Sequence, residues 1–282
     1  MSEQREESIR ILQEKAKIVR KHIVRMIAGA GSGHIAPALS CADIISALYF
    51  SVLRLDPKDP QWEDRDRFIL SKGHGCAAQY AVLAEKGFFP VEVLGTFCRL
   101  DSILGGHPDM LKIPGVEAST GSLGHGLSIG VGMAIAGKAD RKGYRVFVLL
   151  GDGENDEGAV WEGAMAASHY RLDNLIAIID RNRLQVDGWT EDVMNSEPLI
   201  DKWRSFGWFV QEINGHDMNE ILDALGVATA PRERPAVIIA NTVKGKGVSF
   251  MEDNVDWHYG ALTPEAATRA LRELGLADRR EG

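Results

Sequence analysis

Cysteine is scarce in this sequence: Cys41, Cys76 and Cys98 are the three among 282 residues. They form no CxxC pair and leave an odd one over, so neither a disulfide framework nor a thiolate zinc site is indicated, and a reducing, cytoplasmic setting fits. Long hydrophobic runs are also lacking. No stretch reaches the roughly 18 apolar residues of a membrane span, and the polar opening MSEQREESIR has no apolar core of signal-peptide length. Export and membrane insertion are therefore not expected. Positive charge is in deficit, 32 Lys and Arg against 40 Asp and Glu, a net charge of -8, which argues against a nucleic-acid partner. There is no Walker A GxxxxGK[ST], no strand-linked GxGxxG and no HExxH or HxxxH pair, so nucleotide triphosphate, dinucleotide and helical zinc sites have no signature.

What is present is a globular composition, 45% hydrophobic and 26% charged. Ile9, Leu12, Ala16, Val19, Ile23 and Ile27 recur at spacings of three or four, which predicts an amphipathic helix over Glu6–Ala28. A second helix is expected over Cys41–Leu53, and a short strand, Arg67–Leu70, is stopped by SKGHG, after which another helix should follow. From Tyr144 the pattern is regular: strand Val146–Leu150, helix Gly158–Tyr170, strand Leu175–Ile179, strand Phe209–Ile213, helix Met218–Ala228, strand Ala236–Ala240, and a closing helix from Thr263. Continuous apolar strands alternating with helices predict an α/β fold, a mostly parallel sheet with helices on both faces and an N-terminal helical extension. No repeat or linker divides the chain, so residues 1–282 are read as one domain.

Ligands of open parallel sheets bind beyond the carboxyl ends of the strands. Strand Val146–Leu150 runs into Gly151-Asp152-Gly153, and the next strand ends in Asp180-Arg181-Asn182. The spacing allows one crossover helix and one strand, so Asp152 and Asn182 should top adjacent strands. A hard divalent cation takes one or two carboxylates and completes its shell from substrate phosphate and water. Singly, Asp152 is equally a helix cap and Asn182 a turn residue; together they favour a cation site.

GDGENDEG followed by DRNRLQVDG resembles the thiamine diphosphate enzymes, and most closely the transketolase family. The resemblance implies a thiamine diphosphate-binding fold in which Asp152, the Asn182 side chain and the Leu184 carbonyl hold Mg2+, with Ca2+ or Mn2+ as substitutes, and the metal binds the cofactor diphosphate, which Gly153 lets approach closely. Four histidines extend the resemblance. SGHIAPALSCADI would place His34 near substrate and the reactive thiazolium, DRFILSKGHG would place His74 near the diphosphate, GGHP would direct His107 toward substrate hydroxyls, and WHYGAL would set His258 beside cofactor and substrate. STGSLGHG resembles the loop that reaches the pyrimidine side through backbone at Gly121 and Leu123, but departs from the family pattern at Ser122, where proline is common, and His125, where glutamine is common. Glu157 matches a glutamate of the network joining two cofactor sites of the dimer; an acidic first-turn residue also suits the helix dipole. Lys244 and Lys246 in VKGKG either meet an anionic group or lie in a solvated loop.

The resemblance covers the diphosphate-binding domain of a three-domain family. In that family the glutamate that activates the cofactor lies on the pyrimidine-binding domain, and no second α/β unit is evident here. The resemblance thus implies the N-terminal subunit of a split transketolase, inactive until a C-terminal subunit, carrying the pyrimidine-binding and C-terminal domains, joins it in a symmetric heterotetramer. Together they would move a two-carbon ketol unit between sugar phosphates, with His34, His107 and His258 assisting. Alternatives are a subunit of another thiamine diphosphate enzyme, such as a deoxyxylulose phosphate synthase or a 2-oxo acid dehydrogenase, a non-catalytic cofactor-binding module, and a magnesium-dependent hydrolase.

Overall fold

A computed structural model of the chain describes residues 3–230 and 233–275. The periodic apolar residues of the N-terminal segment form helix α1 (Glu3–Ala30), which buries Ile9, Leu12, Ala16, Val19, Ile23 and Ile27. Each such side chain removed from water contributes about 1.5–3 kcal/mol. The single helix expected over Cys41–Leu53 is corrected. Two short helices, α2 (Ile35–Ser40) and α3 (Ala42–Ala47), meet at Cys41, whose φ of -90 and ψ of 3 leave the helical region, and a wide turn over Leu48–Val52 ends the run. Pro37 lies in the first turn of α2, where a missing N–H breaks no helical bond, so it permits a helix start upstream of the predicted one.

Strand β1 (Arg67–Leu70) and helix α4 (Cys76–Lys86) follow, and Gly87, at φ 97, ends α4 in the left-handed region. Next come α5 (His125–Ala139), β2 (Val146–Gly151), α6 (Gly158–His169), β3 (Leu175–Arg181), the short α7 (Thr190–Val193), α8 (Leu199–Ser205), β4 (Phe209–Asn214), α9 (Met218–Ala228), β5 (Ala236–Asn241) and α10 (Pro264–Glu273). Thr263 caps α10 by accepting from the Ala266 N–H at 3.2 Å. Among the described residues no helix is long and apolar enough to cross a membrane.

The five strands are parallel, in the order β1-β2-β3-β5-β4. Successive side chains alternate between two cores. Phe147, Leu149, Ile176 and Ile178 pack with α1, α3, α4 and α9, while Val146, Val148, Leu150, Leu175, Ala177 and Ile179 pack with α5, α6 and α8. Burial on both faces explains why these strands read as unbroken apolar runs. β4, at the sheet edge, is only partly buried and carries Gln211 and Glu212. The register sets Gly151 opposite Asp180, so Asp152 and Asn182 leave neighbouring strands at one level, as the spacing predicts.

Candidate active site

At the carboxyl end of β2 the chain turns through Asp152, which is 5% exposed. One carboxylate oxygen accepts from the Gly153 N–H at 2.8 Å and the other from the Arg183 N–H. Burial, then the charge of Asp180, pushes its pKa up to about 6, against the pull of the two N–H bonds. Gly153 lies so close to the neighbouring loop that a Cβ there would meet the Gln185 side chain at 2.9 Å. At the end of β3, Arg183 turns the chain with a φ of 63, and the buried Asn182 amide oxygen accepts from the Leu184 N–H at 3.2 Å. Asp152, Asn182 and Leu184 line one cavity of about 110 Å³ with Lys72, His74, Leu123, Gly153, Lys244 and His258.

The four histidines, separated by up to 224 positions in sequence (34 to 258), converge. The ring of His34 lies 5.2 Å from His74, 6.2 Å from His107 and 5.4 Å from His258, and His74 stacks on His258 at 5.5 Å. His34, His74 and His107 also line a second cavity of about 380 Å³ with Tyr259 and Cys98. Burial foremost, then neighbouring His and Lys charges, lowers the pKa of His34 to about 4 and of His258, where Lys244 is the nearer charge, to about 3, and holds His74 well below its usual value. These imidazoles are neutral at pH 7. His258 Nδ1 accepts from Lys244 Nζ at 2.7 Å, which assigns the ring proton to Nε2.

The two lysines of VKGKG part company. Lys244 is 1% exposed and donates to the Leu184 carbonyl at 2.7 Å; burial brings its pKa down to about 8. Lys246 lies nearer the surface, 3.5 Å from Glu252. Gly121 packs its backbone against the His107 ring, where a Cβ would stand 3.3 Å from it. Ser122, His125 and Glu157 are exposed; Glu157 precedes α6, and its side chain makes no cap hydrogen bond there.

Several site residues escaped the sequence reading. Lys72 and Asp180, both fully buried, form an ion pair in which Lys72 also donates to the Pro37 carbonyl at 2.8 Å, and Ser40 and Thr242 donate to Asp180. Burial opposes both charges, yet the pairing wins, raising the pKa of Lys72 and lowering that of Asp180. Glu154 is buried beside Asp152. Asn155 fixes the turn from below, giving its amide protons to the Gly151 and Asp152 carbonyls at 2.9 and 3.1 Å and accepting the indole N–H groups of Trp161 and Trp203 at its backbone and side-chain oxygens. The available signal was position: a charged residue directly at the end of an apolar strand, as Asp180 and Lys72 are.

The donor set of Asp152, Asn182 and Leu184 is all oxygen, which suits a hard divalent cation whose remaining ligands come from a bound anion and water. A cation there would relieve the buried Asp152 charge, and Lys244 offers a positive group for the anion. Among the described residues no three His, Cys, Asp or Glu side chains are grouped to hold a metal, so the histidines are free to face an organic ligand.

Comparison with known proteins agrees with this chemistry. The family model described as transketolase, thiamine diphosphate binding domain, matches residues 11–281. One of the two subunits of the apulose-4-phosphate transketolase of Phocaeicola vulgatus is 47% identical over 266 residues, covering 94% of both chains. The 6-deoxy-6-sulfo-D-fructose transketolase subunit SqwG of a Clostridium species is 46% identical, covering 93% of this chain and 96% of that one. Among solved structures, the transketolase of Campylobacter jejuni superposes with a TM-score of 0.90 at 35% identity over 95% of this chain, but over 43% of its own length.

Proposed function

This chain belongs to the transketolase family, as a thiamine diphosphate-binding domain of it, and from that premise we propose that it is the N-terminal subunit of a two-chain transketolase. With a C-terminal subunit it transfers a two-carbon ketol unit from a ketose phosphate, or a sulfonated analogue, to an aldose phosphate. The observation that carries this reading is the convergence of four histidines on a cavity adjoining the Asp152, Asn182 and Leu184 oxygens. The two-chain arrangement is supported by the near-complete mutual coverage with relatives named as subunits, beside coverage of 43% of a solved transketolase chain.

In this reading Asp152, Asn182 and the Leu184 carbonyl hold Mg2+, and Lys244 and His74 face the diphosphate. Thiamine diphosphate, when bound, supplies the carbon nucleophile for the ketose carbonyl. Gly121 and Leu123 present backbone to its pyrimidine side. His34, neutral down to about pH 4, keeps a free ring nitrogen that accepts a hydroxyl proton at pH 7. His107 binds hydroxyls from the rim, and His258 directs its Nε2–H toward the junction of the two cavities. Among the described residues no Lys or Arg lines the larger cavity, so the anionic end of the sugar is met by the partner subunit. Glu157, exposed, is assigned to the contact between the halves of a symmetric heterotetramer. The three thiols, all free, fit a cytoplasmic location.

The substrates for which the relatives are named favour a specialised ketose over a general one. A tagged pull-down in Mg2+ and thiamine diphosphate, followed by assay of the eluate on a donor panel, tests the whole reading. A stoichiometric second chain with ketol transfer supports it. An active homomer removes the partner, and a folded pair without turnover leaves a cofactor-binding module.

A further inference from the structure

Glu154 stands inside the GDGENDEG turn, yet the proposed function gives it no task. Its side chain is 2% exposed and lines the smaller cavity beside Asp152 and Lys72. Three segments meet on its carboxylate. Oε1 accepts from the buried Gly124 N–H at 2.8 Å and from the Ser71 hydroxyl, and Oε2 accepts from the Gly151 N–H at 3.0 Å. Ser71 follows β1, Gly151 ends β2, and Gly124 opens α5 directly after the Gly121–Leu123 segment.

These segments already touch backbone to backbone. A Cβ on Gly73 would meet Thr120 Oγ1 at 2.6 Å and its carbonyl carbon at 2.8 Å, and a Cβ on Gly126 would stand 2.5 Å from the Ser71 Cβ and 2.8 Å from its Cα. Thr120 Oγ1 donates to the Leu70 carbonyl at 2.7 Å. With so little side chain between them, their alignment depends on polar bonds. A carboxylate suits that place because it accepts at both oxygens and donates at neither, and three donors converge on it. Glutamine has the same shape but turns an N–H2 toward one of those donors.

We infer that Glu154 is a positioning residue for the cofactor loop: by joining the ends of β1 and β2 to the start of α5, it holds the Gly121–Gly124 backbone against the diphosphate cavity and so sets thiamine diphosphate affinity. The inference rests on the proposed function. The test measures thiamine diphosphate binding in Mg2+ by calorimetry, together with amide hydrogen exchange, on the complex copurified with its partner.

Glu154→Gln raises the cofactor Kd about tenfold, the scale of a lost charge-assisted bond with a buried N–H left facing a donor. Exchange quickens across residues 119–126 while β2 and β3 keep their protection. Ser71→Ala, which removes one bond and leaves both N–H partners, raises Kd roughly threefold. Glu154→Gln with wild-type Kd, or with exchange quickened evenly through the sheet, overturns the inference. If Glu154→Gln does not fold, wild-type Kd in Ser71→Ala overturns it instead. Wild-type complex that binds no thiamine diphosphate overturns the functional reading itself, and this inference with it, and is told apart from equal binding by wild type and variant.

Discussion

Asp66 and Asp152 occupy opposite ends of two adjacent parallel strands, Asp66 just before β1 and Asp152 just after β2, and both carboxylates are shut away from water. Their partners differ completely. Asp66 accepts from the backbone N–H groups of Arg54 and Arg145 at 3.0 and 2.9 Å and from both guanidinium groups at 2.8 and 2.9 Å. Burial alone would raise its pKa, but these bonds hold it below the usual carboxylate range. Asp152 accepts two backbone N–H bonds, has another carboxylate for a neighbour, and is pushed up to about 6. The amino end of the sheet supplies each charge with its counter-charge; the carboxyl end leaves a carboxylate, a lysine and a set of neutral histidines around open space. Equal burial with unequal satisfaction separates a group that holds the fold from a group that waits for a ligand.

The contrast breaks most sharply in a pair of substitutions. Asp152→Ala is expected to weaken Mg2+-dependent thiamine diphosphate binding by roughly 100-fold or more, since it removes the single carboxylate of the oxygen set, while the melting temperature of the unliganded chain holds or rises. Calorimetric titration and thermal scans check both halves. Asp66→Asn should do the reverse. It leaves two arginines without their anion and costs about 3 kcal/mol, discounted because Arg54 is partly solvated, or a melting temperature roughly 5–8 °C lower. Cofactor affinity per folded molecule stays at the wild-type value. A cofactor effect in Asp66→Asn exceeding its stability effect would erase the distinction between the two ends.

Acid sharpens the same comparison. His34 has a folded pKa of about 4, below the unfolded value of roughly 6.5, so the unfolded chain takes the proton first. Its contribution to stability is complete above the unfolded value and is lost as pH falls from there toward 4. Asp66, also lowered, contributes above the unfolded value of about 3.9 and loses that contribution only below it. Denaturant midpoints of His34→Gln should therefore fall less than those of wild type between pH 6.5 and 4, and those of Asp66→Asn should flatten only below about pH 4. Identical slopes for wild type and His34→Gln in the upper window would mean that the imidazole is not held neutral.

How far the sequence displayed this depends on the kind of signal. Strands β2, β3 and β5 were legible because both faces are buried, and Asp152, Asn182 and the four histidines because each stands out against glycine or the end of an apolar run. α5 was missed: with four glycines and no polar stripe, HGLSIGVGMAIAGKA packs against both β2 and α6 and shows no amphipathic period. The break at Cys41 was invisible because nothing in the residue types marks it. Lys72 and Asp180 find each other across 108 positions, and a charged residue in a loop reads as solvated until its partner is in view. Glu157 was singled out within GDGENDEG, whereas the buried carboxylate of that turn beside Asp152 is Glu154; a 3-10 turn over Gly153–Asp156 rather than an immediate helix start decides which side chain faces inward.

The smallest expected effect is the most economical check on this separation, because Lys246 differs from Lys244 by two positions and little else in sequence. A buried lysine bonded to a carbonyl of the cation site is part of that site; a lysine 37% exposed at its side chain, 3.5 Å from Glu252, is a surface ion pair. Such pairs contribute about 0–1 kcal/mol. Lys246→Ala should shift stability by no more than about 0.5 kcal/mol and leave the thiamine diphosphate Kd within twofold of wild type. The exposed end of the loop is anchored without it, since Arg20 donates to the backbone carbonyl at position 246, at 3.1 Å, and that bond survives truncation of the side chain. If Lys246→Ala nonetheless lowers cofactor affinity tenfold, the second lysine of VKGKG reaches the diphosphate in the assembled enzyme, and the boundary of the site lies further out than burial within this chain places it.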